Sequence, residues 1–417
     1  MNAKALIKDS LKNSSLFPAL IYLRYWLSRY ISKKYFTNYK TYGDSKIEKV
    51  DEGINFFGYY NISPENINGD ILFLKVSAEK ERGSLFEPAS IMLKKQNGTV
   101  IKLTETKAWN WQQGCMFQWL GPTGKKIIYN DYEAEKDHYI AKVINTAGNL
   151  LNTYEHPVNN VSKNGDFALS LNYDRLAYMR PDYGYFNRRN PPLTDNDNDG
   201  IWHINFDTGK TKLIISLKQL INIFWTATME GAEHKVNHID IAPNGERFMF
   251  LHRWIGPHGR FMRLVTVKPD GNDISILNGD TMISHSCWLN NCEILSFCNY
   301  KGVVGYFRFN ILGESPEFFF EQMPKVDGHP SISPDGKWIV TDTYPTLSRM
   351  SFLLLYNMKD DKLIELGRFY QPLKYQSEMR IDLHPKWSMD GDKIFFESGH
   401  SGRRRLYRMD VSKIIHE

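Results

Sequence analysis

The sequence predicts an all-β ring of repeated small sheets, and three observations carry that prediction. Beyond residue 50, short β-rich runs alternate with Gly, Pro, Asn and Asp turns, and helical periodicity largely disappears. The segments HIDIAPNGERFMF from His238, HPSISPDGKWIV from His329 and HPKWSMDGDKIFF from His384 share one pattern. In each, a turn glycine (Gly245, Gly336, Gly391) follows the histidine at the same interval and a strand comes next. A fourth copy, HSCWLNNCEILSF from His285, aligns through Trp288, which follows its histidine as Trp387 follows His384. Earlier stretches keep the rhythm without the histidine: GDILFLKVS, FQWLGPTGKKIIYNDY and FALSLNYDRLAYMRP. Seven such units of roughly 45–60 residues close radially. The expected fold is a seven-bladed β-propeller with a short N-terminal amphipathic helical extension.

The elements follow in order. Residues 1–50 are assigned to the helical extension and 51–417 to the propeller, because no linker-like segment divides the chain. Within residues 15–36, Leu16, Leu20, Leu23, Leu27 and Ile31 form an apolar stripe, with Arg24, Ser28, Arg29 and Lys33 off it. Such a helix either packs on the body or makes peripheral contact with an anionic membrane surface. It is too short to span a bilayer and lacks a cleavable leader pattern, so a cytoplasmic location is expected, peripheral to an inner membrane if the second of these holds. The last unit ends at RRRLYRMDV, one strand short, and a strand within GINFFGYYN is expected to complete it.

Bulk properties narrow the function. The 417 residues are 42% hydrophobic and 24% charged, with a net charge of +5. That is enough apolar material for a large core, and too little positive charge for a nucleic-acid partner. Four cysteines, none in a CxxC pair, fit a reducing compartment and no disulfide framework. The chain is expected to be a monomer. There is no GxSxG elbow, P-loop, GxGxxG after a strand, or HExxH.

The registered histidines carry the first chemical expectation. Innermost strands surround the channel of a propeller, so equivalent positions in neighbouring blades converge on its axis. His238, His285, His329 and His384 would then meet there, with Cys287 as a substitute for His285. Converging imidazoles suit a divalent metal, zinc first, with manganese or calcium as alternatives. The competing use of these residues is hydrogen bonding to backbone at blade starts.

Four further clusters stand out. SLNYDRLAYMRPDYGYFNRR gathers Tyr173, Arg180, Tyr183, Tyr185, Arg188 and Arg189. Arginine pairs with a carboxylate through its planar fork, and a tyrosine or histidine beside it can remove a proton from the neighbouring carbon of a uronate. The same cluster would also serve as a basic loop with packed aromatics. WNWQQGCMFQW and IIYNDY offer Gln112, Gln113 and Asn130 beside indole rings, an arrangement suited to a sugar. FLHRWIGPHGR adds His252 and Arg253 on the same mouth. TDNDNDGIW alternates carboxylates like a calcium loop, but the place for the closing glutamate is Phe206, so it reads as a polar turn.

GHPSISPDGKWIVTDTYP, RIDLHPKWSMDGDKIFFESGH and ALSLNYDRLAYMRPDYGY resemble the blades of propeller polysaccharide lyases, ulvan lyases first and oligogalacturonate lyases more distantly. The resemblance covers most of residues 55–412. It implies a channel metal held by His238, His285 or Cys287, His329 and His384, and eliminative cleavage of an acidic polysaccharide. It assigns catalysis to Tyr173 and Arg189, with Arg180 as the substitute for Arg189. One departure accompanies it: where those lyases place catalytic histidines in an early blade, this chain has Gln112, Gln113 and Asn130. The alternative expectation is a non-catalytic glycan-binding or scaffold propeller in capsule or surface-polysaccharide assembly.

Overall fold

A computed structural model of the chain describes residues 17–31, 37–42, 45–188, 191, 193–279, 282–319 and 322–416. Seven antiparallel sheets form the ring, each made of strands consecutive in sequence except at the closure. The innermost strands, in blade order, are Ile54–Phe56, Gln118–Trp119, Asn160–Val161, Glu233–Ile241, Ile283–Trp288, Ser331–Ile332 and Lys386–Trp387. The alternation of apolar and polar residues decides what lies between blades. In blade 1, Ala89, Ile91 and Leu93 are buried while Ser90, Met92 and Lys94 are not fully covered.

The ring closes differently from the expectation. The outermost strand of blade 7 is Ile47–Lys49, paired with Arg405–Asp410, while Ile54–Phe56 of GINFFGYYN is the innermost strand of blade 1. Burial explains the exchange. Phe56 and Phe57 are fully covered and belong at the axis, whereas Glu48 and Lys49 are exposed and suit an edge. Blade 6 also gains a fifth strand, Tyr39–Thr41, so the segment before residue 51 contributes strands to two blades.

Helix α1 (Phe17–Ile31) meets blade 6 through Tyr25 and Arg29. Tyr25 stacks on Tyr370 at 6.3 Å, and the Arg29 guanidinium lies 3.9 Å from the same ring. Of the expected stripe, Leu20, Leu23 and Leu27 are exposed, and so are Trp26 and Tyr30 next to them. Residues 15, 16 and 32–36 lie outside the described residues. No described helix is long and apolar enough to cross a membrane.

A buried ionic knot joins blade 7 to blade 1. Arg404 donates to Glu397 Oε2 (3.0 Å) and to the carbonyls of Trp111, Met379 and Arg380. Glu397 Oε1 accepts from the backbone of Phe57 (3.1 Å) and Gly58 (2.6 Å), and the Glu397 amide donates to Leu383 O. The side chains of the pair thus hold residues 379–380 and 57–58, which lead into the axis, together with the Trp111 carbonyl.

Candidate functional site

The four registered histidines do converge. Ring centroids separate His238 from His285 by 5.8 Å, His285 from His329 by 4.0 Å, and His329 from His384 by 4.3 Å. Their position follows from the blade starts, where the chain turns inward before the first strand. His238 and His384 occupy the left-handed backbone region, at φ of 55° and 45°. Such strain in a bulky residue costs roughly 1–3 kcal/mol and is held only where the surroundings impose it.

Carboxylates orient these rings. The His329 Nδ1 and backbone N–H both donate to Asp342 Oδ1 at 2.8 Å, and the His384 amide donates to Asp342 Oδ2 at 3.1 Å. A side chain on Gly328 would meet Asp342 O at 1.9 Å, so only glycine lets the chain approach this closely. His285 Nδ1 lies 3.2 Å from Asp327 Oδ1. With Nδ1 fixed as donor, Nε2 of His329 is left as a lone-pair donor pointing to the axis.

Three atoms test whether a metal fits. Nε2 of His329, Nε2 of His384 and Oδ1 of Asp382 are all buried and lack a hydrogen-bond partner. His329, Asp382 and His384 present ligand atoms within 4.8 Å of one another. Orphaned buried acceptors are costly, and two imidazoles plus a carboxylate are a donor set that divalent cations accept. The residues therefore fit such an ion. Burial lowers the basicity of His384 and His238, keeping both rings neutral. At His329 burial also acts downward, but Asp342, with Asp382 and Asp327, outweighs it and the net shift is upward.

Cys287 does not join them. It sits in an apolar cluster with Leu295 and Phe297, and burial, with Asp240 nearby, pushes its thiol far up.

Around the histidines stands a collar of tyrosines and cations. The Tyr59 hydroxyl is hydrogen-bonded to His238 Nδ1, Tyr60 stands 5.3 Å from His329, and Tyr183 stands 5.5 Å from His238. Tyr344 closes the side of blade 6, 5.7 Å from His329. Arg180 lies over Tyr183 at 4.5 Å and pairs with Asp182, which also receives Arg380 (2.7 Å); Arg380 in turn holds Asp382 (2.8 Å). Arg253 faces this group, held down to about 10 by burial and by the Arg180 charge. Beneath the collar, the space beside Tyr59, Tyr60 and His238 is about 10 Å³, room for one water.

Other expected site residues lie elsewhere. Tyr173, assigned to catalysis, is 1% exposed: it stacks on Tyr185 at 4.4 Å and donates to Val158 O. Tyr185 and Asn130 complete that packing, with Asn130 Nδ2 3.0 Å from the Tyr185 hydroxyl. The reason is local. Asn172 accepts from the amides of Asp174 and Arg175 and caps helix α2 (Tyr173–Met179), which turns Tyr173 into the core. His252 is pinned between His234 (3.0 Å) and Arg263 (3.1 Å), on the opposite face of its strand from Arg253. Arg188 pairs with Asp174 and Asp137 on a recess lined by Tyr139, His156 and Trp202. Gln112 bridges the carbonyls of Glu378 and Arg380 (3.0 and 2.9 Å), a positioning role for the segment that carries Asp382. Gln113 is buried with its Oε1 unpartnered. Arg189 lies outside the described residues.

Sequence comparison finds no matching family model and no matching curated protein. Solved structures do match. An oligogalacturonate lyase in complex with manganese superposes with a TM-score of 0.61 and 17% identity over 91% of this chain and 97% of that one. An oligogalacturonate lyase from Vibrio parahaemolyticus gives 0.60 and 15%, over 90% and 97%. A Mycobacterium tuberculosis puromycin-hydrolyzing peptidase gives 0.50 and 11%, over 82% of this chain and half of that one. At these identities the likeness is one of fold: the chain shares the ring architecture of the oligogalacturonate lyases along nearly their whole length.

Proposed function

We propose that this propeller binds an acidic, uronate-containing oligo- or polysaccharide at the channel mouth and cleaves it by β-elimination, with a divalent metal held by His329, Asp382 and His384. The observation that carries the reading is the convergence of three unpartnered buried donor atoms beneath a collar of guanidinium groups. The likeness to a manganese-bound oligogalacturonate lyase supports it. Two nitrogens and one oxygen suit zinc or manganese better than calcium, which prefers an all-oxygen shell.

When bound, the ion would stabilise the negative charge that builds on the uronate carboxylate as its neighbouring carbon loses a proton. Arg180 and Arg253 add positive charge on the same side. The Tyr59–His238 pair accepts that proton, the electron pair forms the new carbon–carbon double bond, and the glycosidic carbon–oxygen bond breaks. The leaving oxygen takes up a proton as a hydroxyl. Incubation with uronate polysaccharides is expected to produce an unsaturated product with new ultraviolet absorbance, and Tyr59→Phe or His238→Ala to slow it by about 10²–10⁴-fold. No absorbance change from metal-loaded protein across a broad uronate panel would exclude the lyase reading.

The exposed face of α1 favours a second reading, a glycan-binding propeller docked on a membrane. Six cations and no acidic residue occur between Ser10 and Gly43, flanking the outward-facing Leu20, Leu23, Trp26, Leu27 and Tyr30. The full chain is expected to float with anionic liposomes and to stay behind when Leu23, Trp26 and Leu27 are changed to serine. Equal flotation of both would leave the helix as packing alone.

A further inference from the structure

The innermost strand of blade 4 carries polar side chains that the folded chain leaves unanswered. Strand Glu233–Ile241 pairs with Phe248–Gly256 so that Lys235 stands opposite Arg253 and Asn237 opposite Leu251. Directly paired residues share a face, and Asn237 lies two residues along the same strand, so Lys235, Asn237 and Arg253 point to one side. His234 and His252 point to the other, where they bond each other.

Lys235 and Asn237 are 3% and 2% exposed. The Lys235 ammonium has one hydrogen-bond acceptor, the carbonyl of Met179 at 3.0 Å, and three protons to place. Both the Oδ1 and Nδ2 of Asn237 are buried without a partner, and so is Nε of Arg253; the Tyr183 hydroxyl is in the same condition. Among the described residues, neither Lys235 nor Arg253 forms an ion pair. Asp182 is the carboxylate facing them, and it is already taken by Arg180 and Arg380. Buried like charges without a counter-charge are destabilising unless something else supplies it. An anion with an adjacent hydrogen-bonding group would satisfy the whole set.

We propose that Lys235, Arg253 and Asn237 form the receptor for the ligand's carboxylate group, with Asn237 taking the hydroxyl beside it and Arg180 and Tyr183 closing the flank. The inference rests on the acidic-saccharide reading and deepens it by naming the residues that recognise the acid. It also gives that recognition a pH dependence. The groups facing Lys235 are Arg253 and Arg260 from the blade 4 strands and Arg180 and Asp182 from the segment after α2. Burial first, then these guanidiniums, bring its ammonium down to about 7. Below that pH Lys235 is charged and receives the carboxylate. As pH rises through the neutral range it loses its proton, so binding takes up a proton and weakens with rising pH.

Calorimetric titration of the full chain with trigalacturonic acid from pH 6 to pH 9 tests this. Uronate carboxylates keep their charge across that interval, and Asp240 and Arg253 titrate near its ends, so the part of the slope that Lys235→Met removes reports Lys235. Wild type is expected to lose affinity as pH rises. Lys235→Met is expected to bind about tenfold or more weakly at pH 6, with the slope flattened, and Lys235→Arg to bind without the slope. Should Lys235→Met fail to fold, Arg253→Met and Asn237→Ala carry the same expectation of weakened binding. Folded Lys235→Met with wild-type affinity and slope would overturn the inference while leaving the saccharide reading intact. Wild type that binds no trigalacturonate at any pH would overturn both.

Discussion

Purified wild-type chain is expected to carry about one equivalent of divalent metal, and the His329→Ala/His384→Ala double variant none. The two imidazoles supply two of the three converging ligand atoms, and Asp382 alone cannot hold an ion against water. Taking roughly 3 kcal/mol per ligand from the 10–16 kcal/mol of four-ligand sites, the loss is on the order of 10⁴-fold in affinity. Asp342→Asn is the more discriminating variant. It leaves all three ligand atoms in place but weakens the carboxylate that fixes His329 Nδ1 and the His384 amide. Outer partners of this kind are worth about 10–100-fold in metal affinity. Elemental analysis after dialysis measures the first effect, and competition with a chelator of known affinity the second. Equal metal content in wild type and double variant would remove the metal from the function.

Arg404→Ala is expected to destabilise the fold by about 3–5 kcal/mol, the cost of leaving a buried charge uncompensated. Glu397 is fully buried, and without Arg404 its carboxylate keeps only the Phe57 and Gly58 amides. The carbonyls of Trp111 and Met379 lose this donor at the same time, and that of Arg380 is left with Gln112 alone. Urea unfolding followed by tryptophan fluorescence reads the change directly. A shift under about 1 kcal/mol, the scale of an exposed ion pair, would show that the knot is solvated. Because the same guanidinium holds the backbone just before Asp382, a destabilised but folded variant is also expected to bind metal more weakly than wild type.

Much of the ring was legible because turn chemistry is local. SPDG and SMDG announce their bends regardless of the rest of the chain, and the histidine ahead of each takes its direction from the blade start. That is why His238, His285, His329 and His384 were found together. Asp382 was not singled out, though it lies two residues before His384 in RIDLHPKW, because its role depends on a neighbouring blade that presents His329. Lys235 in EHKVNHIDI reads as an ordinary polar strand residue; its isolation comes from Arg180, Arg253 and Met179 arriving from distant sequence. The placement of Tyr173 in the core has the opposite origin. A dense run of tyrosine and arginine looks like one surface, but the Asn172 cap starts a helix there and sends successive side chains to different sides.

The latch strand has a consequence for biosynthesis. Ile47 pairs with Met409, so a strand that precedes the first blade in sequence must wait for a strand of the seventh. His384 and Asp382 also belong to the blade that emerges last. A nascent chain stalled before residue 384 would display several finished sheets yet have an open ring and an incomplete ligand set. Synthesis of the C-terminal blade therefore serves as a completeness check, in which closure of the ring and assembly of the centre happen together.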